Sequence, residues 1–225
     1  MTASSLTFPT SSDRGEVRAV LLRPDAAWCL YVFAHGAGAG MDHEFMMDVS
    51  ERLAVMGVAT FRFDFPYMME ERRRPPDPTR VLVSTVRDAV RAAKERAGDL
   101  PFLAGGKSMG GRMTSTAHAD DPLPHVSGLA FFGFPLHPAK RPSIHRARHL
   151  SEVDAPMLFL QGTRDKLADL ALLREALEGV QPAPVVHVVE GADHGFHVLK
   201  RSGRTDEDVR DELCRVFVDW ARTVI

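Results

Sequence analysis

Apolar residues along this chain follow two spacings, one typical of buried strands and one typical of helices. Short continuous apolar runs of strand length, such as residues 58–63, are separated by longer stretches with a helical period. One such stretch covers residues 80–97. Its apolar side chains Val83, Val86 and Val90 fall on one face of a helix. The pattern therefore predicts that buried strands alternate with amphipathic helices.

The alternation continues over most of the chain and indicates the fold class. Strands that alternate with helices favour a mostly parallel central sheet with helices on both faces, and therefore an α/β fold. There is no internal repeat, so we expect residues 1–225 to form one α/β domain. The predicted strands are residues 17–22, 28–34, 58–63, 100–104, 127–132, 156–160 and 185–189, and the predicted helices are residues 41–56, 80–97, 109–119, 167–177 and 207–223.

Composition and charge narrow the class of protein without changing the predicted fold. Of the 225 residues, 44% are hydrophobic and 26% are charged, which is ordinary for a globular domain. The formal net charge of −2 at pH 7 argues against a nucleic-acid binder. No signal peptide or membrane-spanning run is visible, and Cys29 and Cys214 fit buried free thiols. We therefore expect a cytoplasmic protein that acts without a membrane.

The most informative motif is the G-x-S-x-G pentapeptide at residues 106–110, which follows a predicted strand and precedes a predicted helix. This context is that of a nucleophile elbow, a sharp turn that presents a serine hydroxyl at the end of a strand. Glycines on both sides of Ser108 leave room for the turn, because a Cβ there would collide with neighbouring backbone. The motif predicts that Ser108 is a nucleophile. The alternative is a tight turn that contains a serine by chance.

Two further side chains complete a catalytic set in an informative chain order. Asp165 follows the predicted strand 156–160, and His194 follows the predicted strand 185–189. The order Ser108, Asp165, His194 is the one used by α/β-hydrolases and differs from the orders of chymotrypsin and subtilisin. In such a set, His194 accepts the serine proton and Asp165 orients the imidazole.

Other residues near these positions offer alternative interpretations. Asp165 could instead cap the helix predicted at residues 167–177, and Asp193 neighbours the histidine in sequence. The base could instead be His197 or His187, although His187 lies in the middle of a predicted strand.

The sequence resembles the small, lidless, dienelactone-hydrolase-like α/β-hydrolases, from about Val17 to the C-terminus. It is similar within that group to a branch of bacterial hydrolases, testis-expressed α/β-hydrolase-like proteins and the hydrolase-like subunit of an animal histone-acetyltransferase complex. The resemblance implies the α/β-hydrolase fold and a Ser-His-Asp triad. It departs from dienelactone hydrolases at Ser108, where those enzymes have cysteine. The segments that carry the resemblance are residues 35–40, 105–112, 133–138 and 161–165.

An oxyanion hole needs two backbone N–H groups aimed at the oxygen that becomes negatively charged. We expect one from Met109, directly after the nucleophile, and the other from the glycine-rich loop at residues 35–40. The resemblance implies Ala37 as the second donor, with Gly36 as the next choice. The alternative is a flexible loop without a role in catalysis.

Two loops, at residues 65–79 and 133–153, are candidates for contact with substrate. The second loop is too short for a folded lid, so we expect an open and fairly shallow site. Basic residues in these loops could favour an anionic substrate if they face Ser108, and otherwise they are solvated surface charge. The candidate substrate contacts are Arg72, Arg73, Arg74, Tyr67 and His137.

Together these features predict a serine hydrolase that cleaves a small-molecule ester or thioester through an acyl-enzyme and uses no cofactor. A dienelactone-type or amide hydrolase is a second enzyme interpretation, and a non-catalytic interaction module is the alternative of another class. Phosphate-binding motifs fail, because Pro101 and Met41 stand where Walker A and dinucleotide fingerprints need glycine. The loop histidines lack a metal-ligand pattern, and nothing indicates a particular oligomeric state.

Overall fold

The computed structural model describes residues 1–70 and 74–225 and is built around one sheet. The strands are β1 Thr2–Pro9, β2 Glu16–Arg23, β3 Cys29–Ala34, β4 Val58–Phe63, β5 Phe102–Lys107, β6 Val126–Phe132, β7 Met157–Gly162 and β8 Val185–Val189. The α-helices are α1 Glu44–Val55, α2 Thr79–Ala97, α3 Met109–Asp120, α4 Leu170–Leu177 and α5 Asp206–Val224.

The sheet has eight strands in the order β1-β2-β4-β3-β5-β6-β7-β8. Strand β2 pairs antiparallel with both β1 and β4, and every other neighbouring pair is parallel. Strands that follow one another in sequence are connected through helices over most of the sheet, as the α/β pattern requires. The predicted mostly parallel α/β architecture is therefore confirmed.

Helices cover both faces of the sheet, and successive strand residues enter opposite cores. Val32 and Phe131 belong to the core packed beneath α2, α3 and α4. Their chain neighbours Phe33 and Phe132 belong to the core packed beneath α1 and α5. Because side chains alternate across a strand, a strand buried on both faces reads as one continuous apolar run. This arrangement explains why the central strands were visible as unbroken hydrophobic segments.

The parallel strands bring their carboxyl ends to one edge of the sheet. Ser108 directly follows β5, Asp165 follows β7 and His194 follows β8. The glycine-rich loop at residues 35–40 follows β3, the neighbour of β5. Ligand sites of open α/β sheets lie at this edge, so the topology places all of the predicted site segments together.

Two helices begin later than the sequence predicted because polar side chains cap them. Helix α1 begins at Glu44, where His43 Nδ1 accepts a hydrogen bond from the N–H of Phe45. Helix α4 begins at Leu170, because Asp169 Oδ1 accepts from the N–H groups of two residues in its first turn. A residue in the N-terminal capping position has extended backbone, so the helix begins only after it.

Two strand segments were missing from the prediction. Strand β1 is largely exposed and rich in serine and threonine, so its sequence lacks the apolar run that marks a buried strand. It lies in register with β2, with Phe8 paired with Val17. Strand β5 continues to Lys107, beyond the predicted end at Ala104, and pairs there with β6.

Cys29 and Cys214 are both buried and free, as expected. The loop at residues 133–153 contains a 3₁₀ segment, His145–Glu152, that packs against α3. Across residues 1–70 and 74–225, no helix combines the length and apolar character needed to cross a membrane.

Candidate active site

Ser108 occupies a sharp turn between β5 and α3. Its backbone dihedrals are φ 52° and ψ −118°, which is a sparsely populated conformation for a residue with a side chain. The N–H of Ser108 donates to the carbonyl of Phe132 on β6 at 3.1 Å, which ties the turn to the neighbouring strand. The observed strand, strained serine and helix form the geometry of a nucleophile elbow.

The glycines beside the serine are required by close approach of backbone. A Cβ on Gly106 would lie 2.4 Å from the carbonyl oxygen of Ala34, and a Cβ on Gly110 would lie 2.3 Å from the same atom. Real Cβ atoms do not approach so closely, so α3 can pack against the end of β3 only when both positions lack a side chain. This packing brings the loop after β3 against Ser108.

A row of hydrogen bonds links the three predicted catalytic side chains. His194 Nε2 lies 2.8 Å from Ser108 Oγ, and His194 Nδ1 lies 2.7 Å from Asp165 Oδ2. The ionised carboxylate only accepts hydrogen bonds, so the imidazole proton is on Nδ1 and the free Nε2 accepts from the serine hydroxyl. The Asp165 side chain is fully buried, and 26% of the His194 side chain is exposed. The serine therefore faces a base that is held in the tautomer needed to take its proton.

Asp165 is fixed from two other directions. Leu167 donates its backbone N–H to Asp165 Oδ1 at 2.7 Å, and the Gln161 side-chain amide donates to Oδ2 at 2.5 Å. Gln161 is itself held, because its Oε1 accepts from the N–H of Phe134 at 2.9 Å. Sequence reasoning missed Gln161, which lies four residues before Asp165 at the end of β7. Its amide restricts the carboxylate to the orientation that meets His194.

The neighbouring carboxylate and histidines have other partners. Asp193 Oδ1 accepts from the N–H groups of Gly195 and His197, so it shapes the turn that presents His194. His187 bonds to Glu212 at 2.6 Å, and His197 bonds to Asp206 at 2.6 Å.

A second serine–histidine pair lies apart from this site. Ser115 Oγ is 2.8 Å from His149 Nε2, and Ser115 also donates to the carbonyl of Arg112 within α3. Burial, together with the positive charge of Arg112, lowers the pKa of His149 to about 4. Because Ser115 is fully buried, this pair stabilises the contact between α3 and the 3₁₀ segment and gives a substrate no access.

The loop after β3 is held at its start by a buried histidine. His35 Nε2 accepts from the N–H of Phe65 at 3.1 Å, so its proton is on Nδ1, which lies 2.8 Å from the carbonyl oxygen of Gly36. Burial lowers the pKa of His35, which favours the neutral ring that both contacts require.

The end of the same loop is held by two buried charged side chains, Asp64 and Arg62. Asp64 Oδ1 accepts from the N–H of Met41 at 2.9 Å, and Arg62 donates to the carbonyl of Met41 at 2.6 Å. Arg18 donates to Asp64 Oδ2 at 2.6 Å. The backbone of residues 35–41 is therefore held at both ends, which suits a loop that must present a fixed N–H group.

The predicted oxyanion donors lie beside the serine hydroxyl. Gly36 and Ala37 line the same pocket as Ser108 and His194. Met109 is the first residue of α3, where backbone N–H groups lack partners within the helix. The N-terminal end of a helix also favours negative charge. The start of α3 and the loop after β3 therefore both suit an oxyanion beside Ser108.

The pocket at Ser108 has a volume of about 360 Å³. The loop after β3 and the beginning of α1, including Phe45 and Met46, line it. His197 and Arg210 line it as well. The guanidinium of Arg210 is paired with Glu44 and Asp48, each at 3.0 Å. Sequence reasoning did not select residues of α1 and α5 for this pocket, because only the fold brings these helices to the serine.

Three of the predicted substrate contacts are absent from the described lining of the Ser108 pocket. Tyr67 is buried and stacks on Phe65, and burial raises the pKa of Tyr67 to about 12. His137 is buried, and its Nε2 accepts from the N–H of Asp169. Arg74 pairs with Glu70 and Asp77.

These three residues therefore serve local packing and ion pairing. Among the described residues, they do not line the Ser108 pocket. The other two predicted contacts, Arg72 and Arg73, lie outside the described residues.

Comparisons with known proteins show the family and the fold. A model of the alpha/beta hydrolase domain family matches residues 28–222. A dienelactone hydrolase from Anabaena variabilis superposes with a TM-score of 0.76 at 21% identity, covering 97% of each chain. A lidless α/β serine hydrolase from Xanthomonas campestris gives a TM-score of 0.74 at 18% identity, covering 98% of this chain and 95% of the other. An esterase domain from Rhodothermus marinus gives a TM-score of 0.74 at 18% identity over 99% of both chains. At these identities the structural likeness shows the fold.

Proposed function

The chain belongs to the alpha/beta hydrolase family, and we propose that it is a serine hydrolase that cleaves a small ester or thioester through an acyl-enzyme. The observation that carries the proposal is the 2.8 Å contact between His194 Nε2 and Ser108 Oγ. Asp165 orients the same histidine through Nδ1. A serine hydroxyl is a poor nucleophile at neutral pH and becomes effective beside a positioned base. Strain at Ser108 is a second support, because strained backbone concentrates at functional sites.

In the first half of the reaction, Ser108 Oγ attacks the carbonyl carbon of the substrate while His194 Nε2 takes the hydroxyl proton. Asp165 stabilises the imidazolium that forms. The carbonyl oxygen becomes an oxyanion, and the backbone N–H groups of Met109 and Ala37 or Gly36 are the donors that we assign to it. The intermediate then collapses, the bond to the alcohol or thiol breaks, and the imidazolium gives its proton to the leaving group.

In the second half, His194 removes a proton from water, and the resulting hydroxyl oxygen attacks the acyl carbon. A second oxyanion forms at the same donors and collapses as the bond to Ser108 Oγ breaks. His194 returns the proton to the serine oxygen, which restores the free enzyme and releases the carboxylic acid. Each step uses residues of this chain and water alone.

The size of the pocket supports a small acyl group. A volume of about 360 Å³ lies at the lower end of the range for small-molecule sites. The exposed fraction of His194 leaves the site accessible to water and to a leaving group outside the pocket. Some similar structures are described as an esterase domain and a dienelactone hydrolase, which supports ester cleavage over other acyl transfers.

Hydrolysis of p-nitrophenyl acetate and of a short-chain acyl thioester tests the proposal. We expect wild-type protein to hydrolyse at least one of them, and Ser108→Ala to lose activity by about 10³-fold or more, because the nucleophile is gone. Ser115→Ala is a matched control, since it removes another serine hydroxyl that contacts an imidazole.

Ser115→Ala should keep near wild-type turnover. Equal activity of wild type and Ser108→Ala would contradict the proposal. Inactivity of a folded wild type toward both substrates would favour the non-catalytic interaction module.

A further inference from the structure

Lys107 connects the nucleophile elbow to the backbone of the base. Its Nζ donates to the carbonyl oxygen of His194 at 2.6 Å. The next residue, Ser108, contacts the His194 ring at Nε2. Two adjacent residues at the end of β5 therefore hold the two ends of one residue, the backbone carbonyl and the imidazole of His194.

The Lys107 ammonium lies in a confined position. Its Nζ is 5.6 Å from the centre of the Phe45 ring and 5.3 Å from the centre of the Phe196 ring. A Cβ on Gly133 would lie 3.1 Å from Nζ and 3.5 Å from His194 Nδ1, so the ammonium and the imidazole border the same small space. Aromatic faces attract a cation, and the carbonyl accepts one of its three protons. The position of Nζ is therefore fixed by contacts on several sides.

We propose that Lys107 is a positioning residue, whose charged hydrogen bond to the His194 carbonyl holds the imidazole at Ser108. The inference rests on the proposed function, because it assigns Lys107 to the same serine–histidine pair. The turn that carries His194 follows β8, whereas Ser108 follows β5, and β6 and β7 lie between these strands. A direct bond across that separation fixes the distance between nucleophile and base more tightly than the sheet alone.

The charge of Lys107 matters because a hydrogen bond from an ionised donor is about twice as strong as a neutral one. Burial lowers the pKa of Lys107 to about 8, while the nearby carboxylates Asp165 and Asp193 oppose that shift. Lys107 is cationic below this pKa and neutral above it. The bond to His194 should therefore be strong below pH 8 and should weaken as the pH rises through 8.

Loss of the charge has two opposite effects on the site. A weaker hold on His194 slows proton transfer, whereas removal of a cation beside the imidazole makes formation of the imidazolium easier. Only the first effect predicts a slower reaction above pH 8. The other groups around the site are Asp165 after β7, Asp193 after β8, His43 and Glu44 at the start of α1, His197, and Arg210 on α5. The Lys107→Arg variant separates the effect of Lys107 from the effects of these groups.

The rate of covalent labelling by a fluorophosphonate, measured from pH 6.5 to 9.5, tests the inference. Wild type should label fastest below pH 8 and more slowly above it. Lys107→Arg keeps a permanent charge, so its rate should not fall through pH 8. Lys107→Met lacks the donor and should label at least about tenfold more slowly at pH 7. Thermal unfolding of each variant shows whether a slower rate reflects unfolding.

Lys166→Met is the matched control, because Lys166 lines a separate cleft that also borders His194. It should label like wild type at every pH. Three results would each overturn the inference. Lys107→Met could label as fast as wild type, or the wild-type labelling rate could rise through pH 8. The labelling rate of Lys107→Arg could also fall through pH 8 as the wild-type rate does. If wild type itself is not labelled, the proposed function fails instead, so the two failures are distinguishable.

Discussion

Two carboxylates flank His194, and their surroundings give them different tasks. Asp165 is fully buried and contacts the His194 ring at Nδ1. Asp193 is adjacent in sequence but accepts hydrogen bonds from backbone N–H groups of its own turn. The separation of these tasks follows from the strand ends that carry the two residues, because Asp165 comes from β7 and reaches across to the turn after β8.

Asp165→Asn should abolish most of the activity without unfolding the protein. The amide is nearly the same size as the carboxylate, but it no longer stabilises the imidazolium and favours the wrong tautomer of His194. The turnover number for a small ester should fall by about 10³- to 10⁴-fold. Steady-state hydrolysis, with circular dichroism as a check of folding, measures this effect.

Asp193→Asn is the corresponding control beside the same histidine. The amide oxygen can still accept the turn hydrogen bonds, so we expect a loss of activity below about tenfold. If Asp193→Asn lost as much activity as Asp165→Asn, the assignment of Asp165 as the carboxylate that orients His194 would be wrong.

At the residue scale, the sequence predicted the side chains that the structure brings together at Ser108. Their chain order and their positions after apolar runs were sufficient for Ser108, Asp165 and His194. Lys107 could not be recognised in the same way, because it acts on a residue from a different strand end. Gln161 precedes Asp165 at the same strand end, but the spacing alone does not show that its amide meets the carboxylate. The burial of Tyr67 and His137 could not be predicted, because a loop position does not reveal whether a side chain turns towards a pocket or into the core.

At the scale of elements, the elbow depends on how closely α3 and β3 approach. Gly106 and Gly110 both face the carbonyl of Ala34, so the turn and the helix have no space for a side chain there. The sequence predicted this crowding from the spacing of glycines. It did not predict that β5 runs on to Lys107, because glycine weakens a strand pattern even where the backbone pairs fully.

Gly110→Ala should strongly destabilise the fold. Its Cβ would lie 2.3 Å from a backbone carbonyl, so α3 must shift away from β3. Overpacking of this kind should lower the free energy of unfolding by about 3 kcal/mol or more. Urea unfolding followed by tryptophan fluorescence measures the change.

Gly36→Ala is the control within the same site. Its Cβ would meet its nearest neighbours at 3.5 Å, an ordinary contact, and its φ is outside the left-handed region. The free energy of unfolding should change by less than about 1 kcal/mol. Equal destabilisation by the two substitutions would show that close packing at the elbow does not limit stability.

At the scale of the whole molecule, two cores on opposite faces of one sheet hold the carboxyl edge rigid. The continuous apolar runs indicated strands that are buried on both faces, and the sequence therefore predicted the α/β architecture correctly. The sequence pattern did not predict the polar edge strand β1, because this strand is mostly exposed and is held by its pairing with β2. The pocket wall from α1 and α5 was also beyond sequence reasoning, since it depends on how helices stack on one face.

Buried histidines should make the whole fold less stable in mild acid. Burial lowers the pKa of His149 from its ordinary 6.5 to about 4. Between these two values the unfolded chain binds more protons than the folded chain, so the free energy of unfolding falls as the pH falls. His149 alone contributes a slope of up to about 1.4 kcal/mol per pH unit in this window. The lowered pKa of His35 acts in the same direction.

His149→Gln isolates this contribution, because its amide can still bond to Ser115 but does not titrate. Urea unfolding from pH 7 to pH 4.5 should give a flatter dependence of stability on pH for this variant than for wild type. Identical slopes for the two proteins would show that His149 does not resist protonation in the folded state.

The central claim is that Ser108 is activated by His194, and the mass of the protein after fluorophosphonate treatment tests it most directly. We predict that wild type gains one phosphonyl group, that proteolytic peptides place it on Ser108, and that Ser115→Ala is labelled equally. Ser108→Ala should gain no mass, and His194→Ala should react far more slowly. A folded wild type that gains no mass, or an adduct on another residue, would contradict the account.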